Sequence, residues 1–375
     1  MSSELPVIVA EIGTAHEGDL QRARDLIHAA RDAGADMAKF QLVFAREILH
    51  QNAGSVDLPA GPIPLYERFQ ELERPISFYQ DLQRLCQEAG IRFLCTPFGL
   101  ESAGILRSMA VDSIKIASPE LNFHPLLREV AGYGIPLILS TGVATIGDIA
   151  ESLEVIHGGV ERNVTLLHCV TAYPAPEEDY NVRVIPALAN LLGVPVGISD
   201  HSVDPVLVPA LATTEGATMI EKHITLAGSA DGLDDAISLQ PEQFAHMVRR
   251  VRAISAQLRD VAQDPVERRR LRLTLQAKLA DEYGTSRVEA VLGTGIKSLA
   301  KSEARNYGFT NRSIHAVTEI PAGTVLTEEN TAILRTEKNL KPGLHPRYWQ
   351  QICGVKTTNP IAAGEGITWE DVSSR

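Results

Sequence analysis

The feature that most constrains the fold is a unit that recurs along the first two thirds of the chain. A short apolar run is followed by an amphipathic helix, and a glycine precedes the next run. In the first helix Leu20, Ala23, Ile27 and Ala30 share one stripe, and Gly34 follows them. Most runs are continuously apolar, which is typical of strands buried on both faces. The eight runs span residues 7–11, 35–41, 92–95, 113–116, 136–140, 165–168, 196–200 and 218–223.

Eight strands alternating with helices over about 250 residues predict an α/β fold, a (β/α)₈ or TIM barrel, for residues 1–257. An open, doubly wound sheet is the alternative. We prefer the barrel because the runs number eight and no glycine-rich dinucleotide loop follows the first of them. Residues 258–310 predict a charged helix and a polar linker. Residues 311–375 consist of short β runs divided by turn sequences, which predict a small, mostly β second domain.

The charge balance excludes several classes of partner. The chain has 35 basic and 47 acidic residues, so nucleic acid and anionic membrane surfaces are not expected partners. It contains no run of about 18 apolar residues and does not open with the pattern of a signal peptide. Its four cysteines show no paired spacing, which indicates free thiols in a reducing compartment. We therefore expect a cytoplasmic protein whose anionic ligands, if any, need a local cluster of cations.

Two lysines lie inside apolar runs near strand ends, where barrel enzymes carry their function. Burying the ammonium of Lys39 or Lys115 is costly unless an anion compensates it. Thr96, Ser118 and Ser140 follow or end neighbouring runs and could add hydroxyl groups to the same mouth. The sequence therefore predicts a pocket for a phosphate or a carboxylate, with structural ion pairing as the alternative.

Two histidines, His201 and His223, follow or end the last two runs. On neighbouring strands they would form a partial shell for a divalent metal, although a lone histidine is more often a satisfied polar residue. Oxygen donors rather than cysteines surround them, which favours Mn²⁺ or Mg²⁺ over a structural zinc. An open shell leaves room for a substrate oxygen, as Lewis-acid catalysis requires. An anion pocket beside such a metal suggests aldol-type carbon–carbon bond formation.

A series of strings along the barrel resembles the sialic acid (N-acetylneuraminate) synthase family. In order they are AEIGTAHEGDL, AGADMAKFQ, FLCTPF, IKIASPE, PLILSTG, LLHCVTAYPAPEEDYN, VPVGISDHS and IEKHITL. The tail NRSIHAVTEIPAGTVLTEENTAILR resembles the antifreeze-like SAF domain that follows the barrel in these enzymes. The resemblance implies a nonulosonic acid synthase. Such an enzyme condenses phosphoenolpyruvate (PEP) with the open-chain aldehyde of an N-acetylmannosamine-like amino sugar and releases phosphate.

The resemblance also implies a role for each residue at the barrel mouth. Those expected around PEP are Lys39, Thr96, Lys115, Ser118, Ser140 and Ser199. Those expected around the sugar are Glu11, Gln41, Glu120, Tyr173 and Asp234, with Glu11 as the candidate for moving protons. His201 and His223 would ligate the Mn²⁺ or Mg²⁺. Arg312, in the small domain, would reach into the barrel of the partner subunit in a domain-swapped homodimer.

The substrate is less constrained than the chemistry. Ala15 and Thr171 depart from the family's pattern on the sugar side, so a deoxy or diacetamido sugar, giving legionaminic or pseudaminic acid, stays open. A PEP-dependent synthase acting on a sugar phosphate would need a further basic cluster near Tyr173. A catalytically silent carbohydrate-binding protein of polysaccharide assembly is the third interpretation. The presence of both lysines and both histidines favours an enzyme.

Overall fold

The computed structural model describes residues 5–58, 61–159, 163–226, 234–261 and 263–373. The strands are β1 (Val7–Gly13), β2 (Met37–Leu42), β3 (Ser55–Leu58), β4 (Gly61–Pro64), β5 (Arg92–Pro97), β6 (Ile114–Ile116), β7 (Leu137–Ser140), β8 (Val164–Cys169), β9 (Val196–Asp200), β10 (Met219–His223), β11 (Arg312–Ala316) and β12 (Thr331–Arg335). The helices are α1 (Leu20–Asp32), α2 (Ala45–Ile48), α3 (Leu65–Glu71), α4 (Ile76–Ala89), α5 (Leu100–Ser108), α6 (His124–Ala131), α7 (Ile146–His157), α8 (Val184–Leu192), α9 (Leu207–Thr214), α10 (Pro241–Asp260), α11 (Pro265–Tyr283), α12 (Thr285–Leu292) and α13 (Trp349–Ile352).

Eight parallel strands close into a barrel in the order β1, β10, β9, β8, β7, β6, β5 and β2, and β2 pairs back to β1. Each of the eight predicted runs supplies one of these strands, so the TIM-barrel prediction is confirmed and the open-sheet alternative is wrong. The helices between consecutive barrel strands pack their apolar stripes onto the outside. In α1, for example, Ala23, Leu26, Ile27 and Ala30 are buried.

The interior of the barrel is apolar at one end and polar at the other. Six buried side chains from six different strands form one cluster. Side chains from so many strands can meet only inside the barrel. They are Val9, Met37, Leu94, Ile138, Leu167 and Met219. Side chains two residues further along a strand point the same way. At those positions the buried residues include Glu11, Lys39, Thr96, Ser140 and Glu221. Inward-pointing side chains are therefore apolar in the lower layer of the barrel and polar at its mouth, at the carboxyl ends of the strands.

The small domain follows α11, α12 and an irregular segment. In it β11 and β12 pair antiparallel, which agrees with the predicted, mostly β domain. Its separate core includes Ile314, Ile320 and Leu326. Of the two predicted domain limits, the one at 257/258 falls inside α10 and the one at 310/311 just before β11. No helix among the described residues combines the length and the apolar composition needed to cross a membrane.

Buried histidines predict that acid destabilises the fold. Burial lowers the pKa of His168 to about 3 and of His315 to about 4, although one nitrogen of each ring also donates to a backbone carbonyl, which acts in the opposite direction. Because both folded-state pKa values lie below the unfolded value near 6.5, this stability is complete above pH 6.5 and is lost as the pH falls. We expect each residue to remove about 2 kcal/mol from the free energy of unfolding between pH 7 and pH 5.

Denaturant titrations at the two pH values measure this loss. His315→Gln should reduce the pH dependence, whereas His246→Gln, at an exposed position, should leave it unchanged. A free energy of unfolding that is equal at pH 7 and pH 5 in the wild type would contradict the prediction.

Candidate active site

A cavity of about 740 Å³ opens at the carboxyl ends of the barrel strands, a volume typical of small-molecule sites. The sequence-predicted residues that line it are Glu11, Lys39, Gln41, Thr96, Lys115, Ser118, Ser140, Tyr173, Ser199, His201, His223 and Asp234. Glu120 and Arg312 are not among the lining residues and lie fully buried next to them. The structure thus gathers residues from all eight barrel strands or the loops after them around one space.

The two lysines differ in how well their charges are balanced. The Nζ atom of Lys39 lies 2.9 Å from Oε2 of Glu11 and 3.2 Å from Oε1 of Glu221. The Nζ atom of Lys115 donates to Ser140 Oγ at 2.7 Å and lies 3.6 Å from the same Glu221 oxygen. Lys39 is therefore the structurally paired lysine, as the alternative interpretation expected. Lys115 has one carboxylate oxygen nearby, at a longer distance, and that oxygen also pairs with Lys39.

The pKa directions follow from this pairing. Burial disfavours the Lys39 ammonium, but the charges of Glu11 and Glu221 hold the pKa of Lys39 above its usual value. For Lys115 burial prevails over Glu221 and lowers the pKa. Burial likewise raises the pKa of Glu11, against the influence of Lys39. Lys115 thus shares its nearest carboxylate with Lys39, and an anionic ligand in the cavity would supply a second anion.

Glu221 is a site residue that was not selected from the sequence. Burial opposes its ionisation, but Lys115 and Lys39 lower its pKa, so it stays a carboxylate between two ammonium groups. It also accepts a hydrogen bond from Ser199 Oγ at 2.9 Å. The period of two in β10 was a sufficient signal, because Glu221 precedes His223 by two residues and so shares its face of the strand.

The hydroxyl groups at the mouth are not equally engaged. Ser118 Oγ accepts the N–H of Gly142 at 3.0 Å, and Ser140 Oγ accepts from Lys115. Thr96 Oγ1 is buried and has no hydrogen-bond partner among the described residues. A buried hydroxyl without a partner is costly, so Thr96 is open to a ligand, as is Thr171, whose Oγ1 is in the same state and lines the same cavity.

The two histidines meet the requirements of metal ligands. His201 follows β9 and His223 ends β10, which are paired strands, and the ring centroids lie 5.5 Å apart. Nδ1 of His201 lies 2.9 Å from the carbonyl oxygen of Val170, so it donates and Nε2 keeps its lone pair. Burial lowers the pKa of both histidines, and neutral imidazole is the form that binds metals. Asp234 adds a carboxylate oxygen 3.8 Å from Nδ1 of His223.

A second group of side chains close enough to hold a metal lies at the junction of the barrel and the small domain. Ligand atoms of His124, Glu151 and His345 all fall within 4.8 Å of one another. Arg347 contacts two members of this group. Its side chain pairs with Glu151 at 2.8 Å, and its backbone N–H donates to Nδ1 of His345 at 3.1 Å. The lone pair of that nitrogen is therefore already engaged, and a metal at His201 and His223 stays a prediction.

The small domain contributes to the mouth through two arginines. Nη2 of Arg312 lies 2.9 Å and Nη2 of Arg335 lies 2.8 Å from Oε1 of Glu120, while Oε2 of Glu120 is buried without a partner among the described residues. Arg335, which sequence reasoning missed, lines the cavity, and Arg312 lies behind it. The resemblance implies that Arg312 enters the barrel of a partner. In the structure it contacts Glu120 of its own chain, and the homodimer stays a prediction.

Comparisons with known proteins agree with the fold described above. The profile of the NeuB family matches residues 26–263, and that of the SAF domain matches residues 311–373. The spore coat polysaccharide biosynthesis protein SpsE of Bacillus subtilis is 34% identical over 99% of this chain and 95% of its own. The N,N'-diacetyllegionaminic acid synthase of Campylobacter jejuni is 31% identical, with 96% and 98% of the two chains covered.

The crystal structure of SpsE from Bacillus subtilis superposes with a TM-score of 0.80 at 32% identity, covering 100% of this chain and 97% of that one. The similarity therefore includes the barrel, the small domain and their connection. The NeuB profile alone spans more than half of the 375 residues. The resemblance drawn from the sequence is confirmed, and the chain belongs to the NeuB family, with a SAF domain after its barrel.

Proposed function

We propose that the protein is a PEP-dependent nonulosonic acid synthase, which condenses PEP with an N-acetylmannosamine-like aldehyde sugar and releases phosphate. The observation that carries the proposal is a buried lysine, Lys115, which shares its nearest carboxylate with Lys39 and lies in the same cavity as the neutral pair His201 and His223. A related protein named N,N'-diacetyllegionaminic acid synthase supports the reaction class. The relatives differ in the sugar named, so the substrate is assigned only as a class.

The lysine side of the cavity fits the anionic groups of PEP. Lys115 and Lys39 would donate charge-assisted hydrogen bonds to phosphate or carboxylate oxygens. Thr96 has a free hydroxyl for the same purpose, and Ser140 and Ser118 lie beside it along the strand ends. In their charged forms the two ammonium groups would hold the phosphate both before and after its bond to carbon breaks.

His201 and His223 would hold a divalent ion, Mn²⁺ or Mg²⁺, whose chemistry is to polarise the aldehyde carbonyl. Carbon 3 of PEP forms the new bond to the aldehyde carbon, and the aldehyde oxygen gains a proton to become a hydroxyl. Water adds to carbon 2, the carbon–oxygen bond to phosphate breaks, and carbon 2 becomes a ketone. One proton of the water leaves with the phosphate, and the other replaces the proton given to the aldehyde oxygen. Glu11, whose pKa burial raises, is suited to hold and donate the proton, and Gln41 fixes its Oε1 with a 2.7 Å hydrogen bond.

A specific observation favours a second candidate, a synthase acting on a sugar phosphate. Sequence reasoning required a further basic cluster on the sugar side, and Lys301, Arg305 and Arg335 all line the cavity. Lys301 and Arg305 are exposed at its mouth, where they could meet a phosphate at the far end of a sugar. The two candidates share the PEP side and differ in the aldehyde.

Phosphate release from PEP tests both candidates. With Mn²⁺ we expect release with one member of a panel that holds N-acetylmannosamine, its 6-phosphate and 6-deoxy diacetamido sugars, because the anion pocket and the histidine pair are both present. A chelator should abolish it, since His201 and His223 would lose their ion. The responding sugar decides between the candidates. Absence of release with every sugar, together with no calorimetric binding of PEP, would overturn the proposal in favour of a silent binder.

A further inference from the structure

The segment between α12 and β11, residues 293–311, is called the connector here. Sequence reasoning treated it as part of a polar linker, but it carries a carboxylate that is 1% exposed, Glu303. Oε2 of Glu303 accepts the backbone N–H of Val143 at 2.9 Å and of Thr171 at 2.8 Å. These two amides belong to the loops that follow β7 and β8. The connector thus ties together two loops at the barrel mouth.

Other connector residues hold the same loop. Nζ of Lys297 donates to the carbonyl of Thr141 at 3.0 Å, and Nδ2 of Asn311 donates to the carbonyl of Val143 at 3.1 Å. Glu303 accepts from the N–H of Val143, so this residue is bound on both of its backbone polar groups. Three side chains of the connector therefore fix a stretch of three residues after β7.

Val143 has a backbone conformation that needs such support. Its φ is 42°, in the left-handed region, which is unfavourable for a β-branched residue. Conformations of this kind persist only where surrounding contacts determine them, and they cluster at functional sites. The connector supplies these contacts, and Val143 is fully buried.

The two loops lead directly to cavity residues. Gly142, next to Val143, donates its N–H to Ser118 Oγ at 3.0 Å, and Ser140 receives the hydrogen bond of Lys115. Two residues after Thr171, the ring of Tyr173 stacks on His201 with centroids 4.3 Å apart. A change in either loop would therefore move hydroxyl groups on the anion side or the ring that packs on a histidine.

We propose that Glu303 is a positioning residue for the PEP side of the site: its carboxylate holds the loops after β7 and β8, and through them Ser118 and Ser140. The identity of the ligand as PEP rests on the proposed function. The contact of Glu303 with the two loops is independent of that function. Glu303 accepts hydrogen bonds from backbone amides and is not among the residues that line the cavity, so it would affect the reaction through the loops.

The test combines a substrate-free measurement with kinetics. In Glu303→Ala, and in Glu303→Asp, whose shorter side chain cannot reach both amides, we expect faster hydrogen exchange at Val143 and Thr171. We also expect the KM for PEP to rise about tenfold with a smaller change in kcat, because each lost hydrogen bond is to a charged group. Glu303→Gln keeps an oxygen that can accept both N–H groups and should restore most of the KM. Glu319→Gln, at an exposed position of the small domain, is the matched control.

A merely structural role would lower the melting temperature and the active fraction, and so kcat, without changing the KM for PEP. The proposal is wrong if Glu303→Ala or Glu303→Asp is folded and keeps the wild-type KM for PEP and the wild-type rate of hydrogen exchange at Val143 and Thr171. If Glu303→Ala does not fold, Glu303→Asp decides by the same two measurements. A wild type that neither releases phosphate nor binds PEP would overturn the proposed function, and exchange at Val143 and Thr171 would then decide alone whether Glu303 holds the loops.

Discussion

Replacing Lys115 with methionine is expected to lower kcat/KM for PEP by about 10²- to 10³-fold without weakening the fold. Lys115 is buried, its pKa is lowered chiefly by burial, and its nearest carboxylate oxygen is 3.6 Å away. Glu221 therefore offsets only part of the cost of desolvating this ammonium, and a bound anion would offset the rest. Methionine removes the charge with little change in volume, and Glu221 keeps Lys39 as a partner at 3.2 Å, so the free energy of unfolding should change little.

Lys39 provides the matched contrast within the same cavity. Its ammonium pairs with Glu11 and Glu221, so Lys39→Met leaves the buried Glu11 without its cation and Glu221 with Lys115 alone. We expect this variant to lose about 3–5 kcal/mol of stability in addition to activity. Denaturant titration and steady-state kinetics measure both quantities, with Lys278→Met, at an exposed helix position, as the control. A Lys115→Met variant that is active, or as unstable as Lys39→Met, would contradict the assignment of Lys115 to the ligand.

The barrel and most of its mouth were predictable because both depend on local periodicity. Apolar runs separated by amphipathic helices number eight, and the side chains of one strand alternate with a period of two. Lys39 and Gln41 therefore had to share a face, as did Glu221 and His223. Glu221 was not selected, although the same period places it on the face of His223 and away from its neighbour Lys222. In the structure Lys222 pairs with Asp200 at 2.7 Å, on the other face of the strand.

The contacts of the connector and of the small domain were not predictable in this way. Glu303 lies 160 residues from Val143, and Arg335 lies 215 residues from Glu120. No local pattern distinguishes Glu303 from the solvated charges around it, since its burial depends on how the connector crosses the barrel mouth. The same holds for Arg312. The sequence around it indicates a basic residue at the start of a strand, but not whether that residue contacts the barrel of its own chain or of a partner.

Replacing His201 or His223 with alanine is expected to reduce chelator-sensitive phosphate release by about 10³-fold or more. Each ring is buried and neutral, and the Nδ1–H of His201 is already committed to the carbonyl of Val170. Removal of either imidazole leaves a single protein nitrogen for a divalent ion, which is too few for stable binding beside waters and a carboxylate. The loss should therefore appear in ion binding as well as in turnover.

Titration of free Mn²⁺ by electron paramagnetic resonance separates the two candidate metal groups. The wild type should bind Mn²⁺ in the cavity, and His201→Ala and His223→Ala should lose that binding. His345→Ala, which removes a member of the junction group, should retain both binding and turnover, as should His246→Ala at the surface. If His345→Ala abolishes binding and the two cavity variants do not, the ion belongs at the junction of the domains. The histidines of the cavity would then act through hydrogen bonds alone, with Tyr173 stacked on His201 to fix the ring.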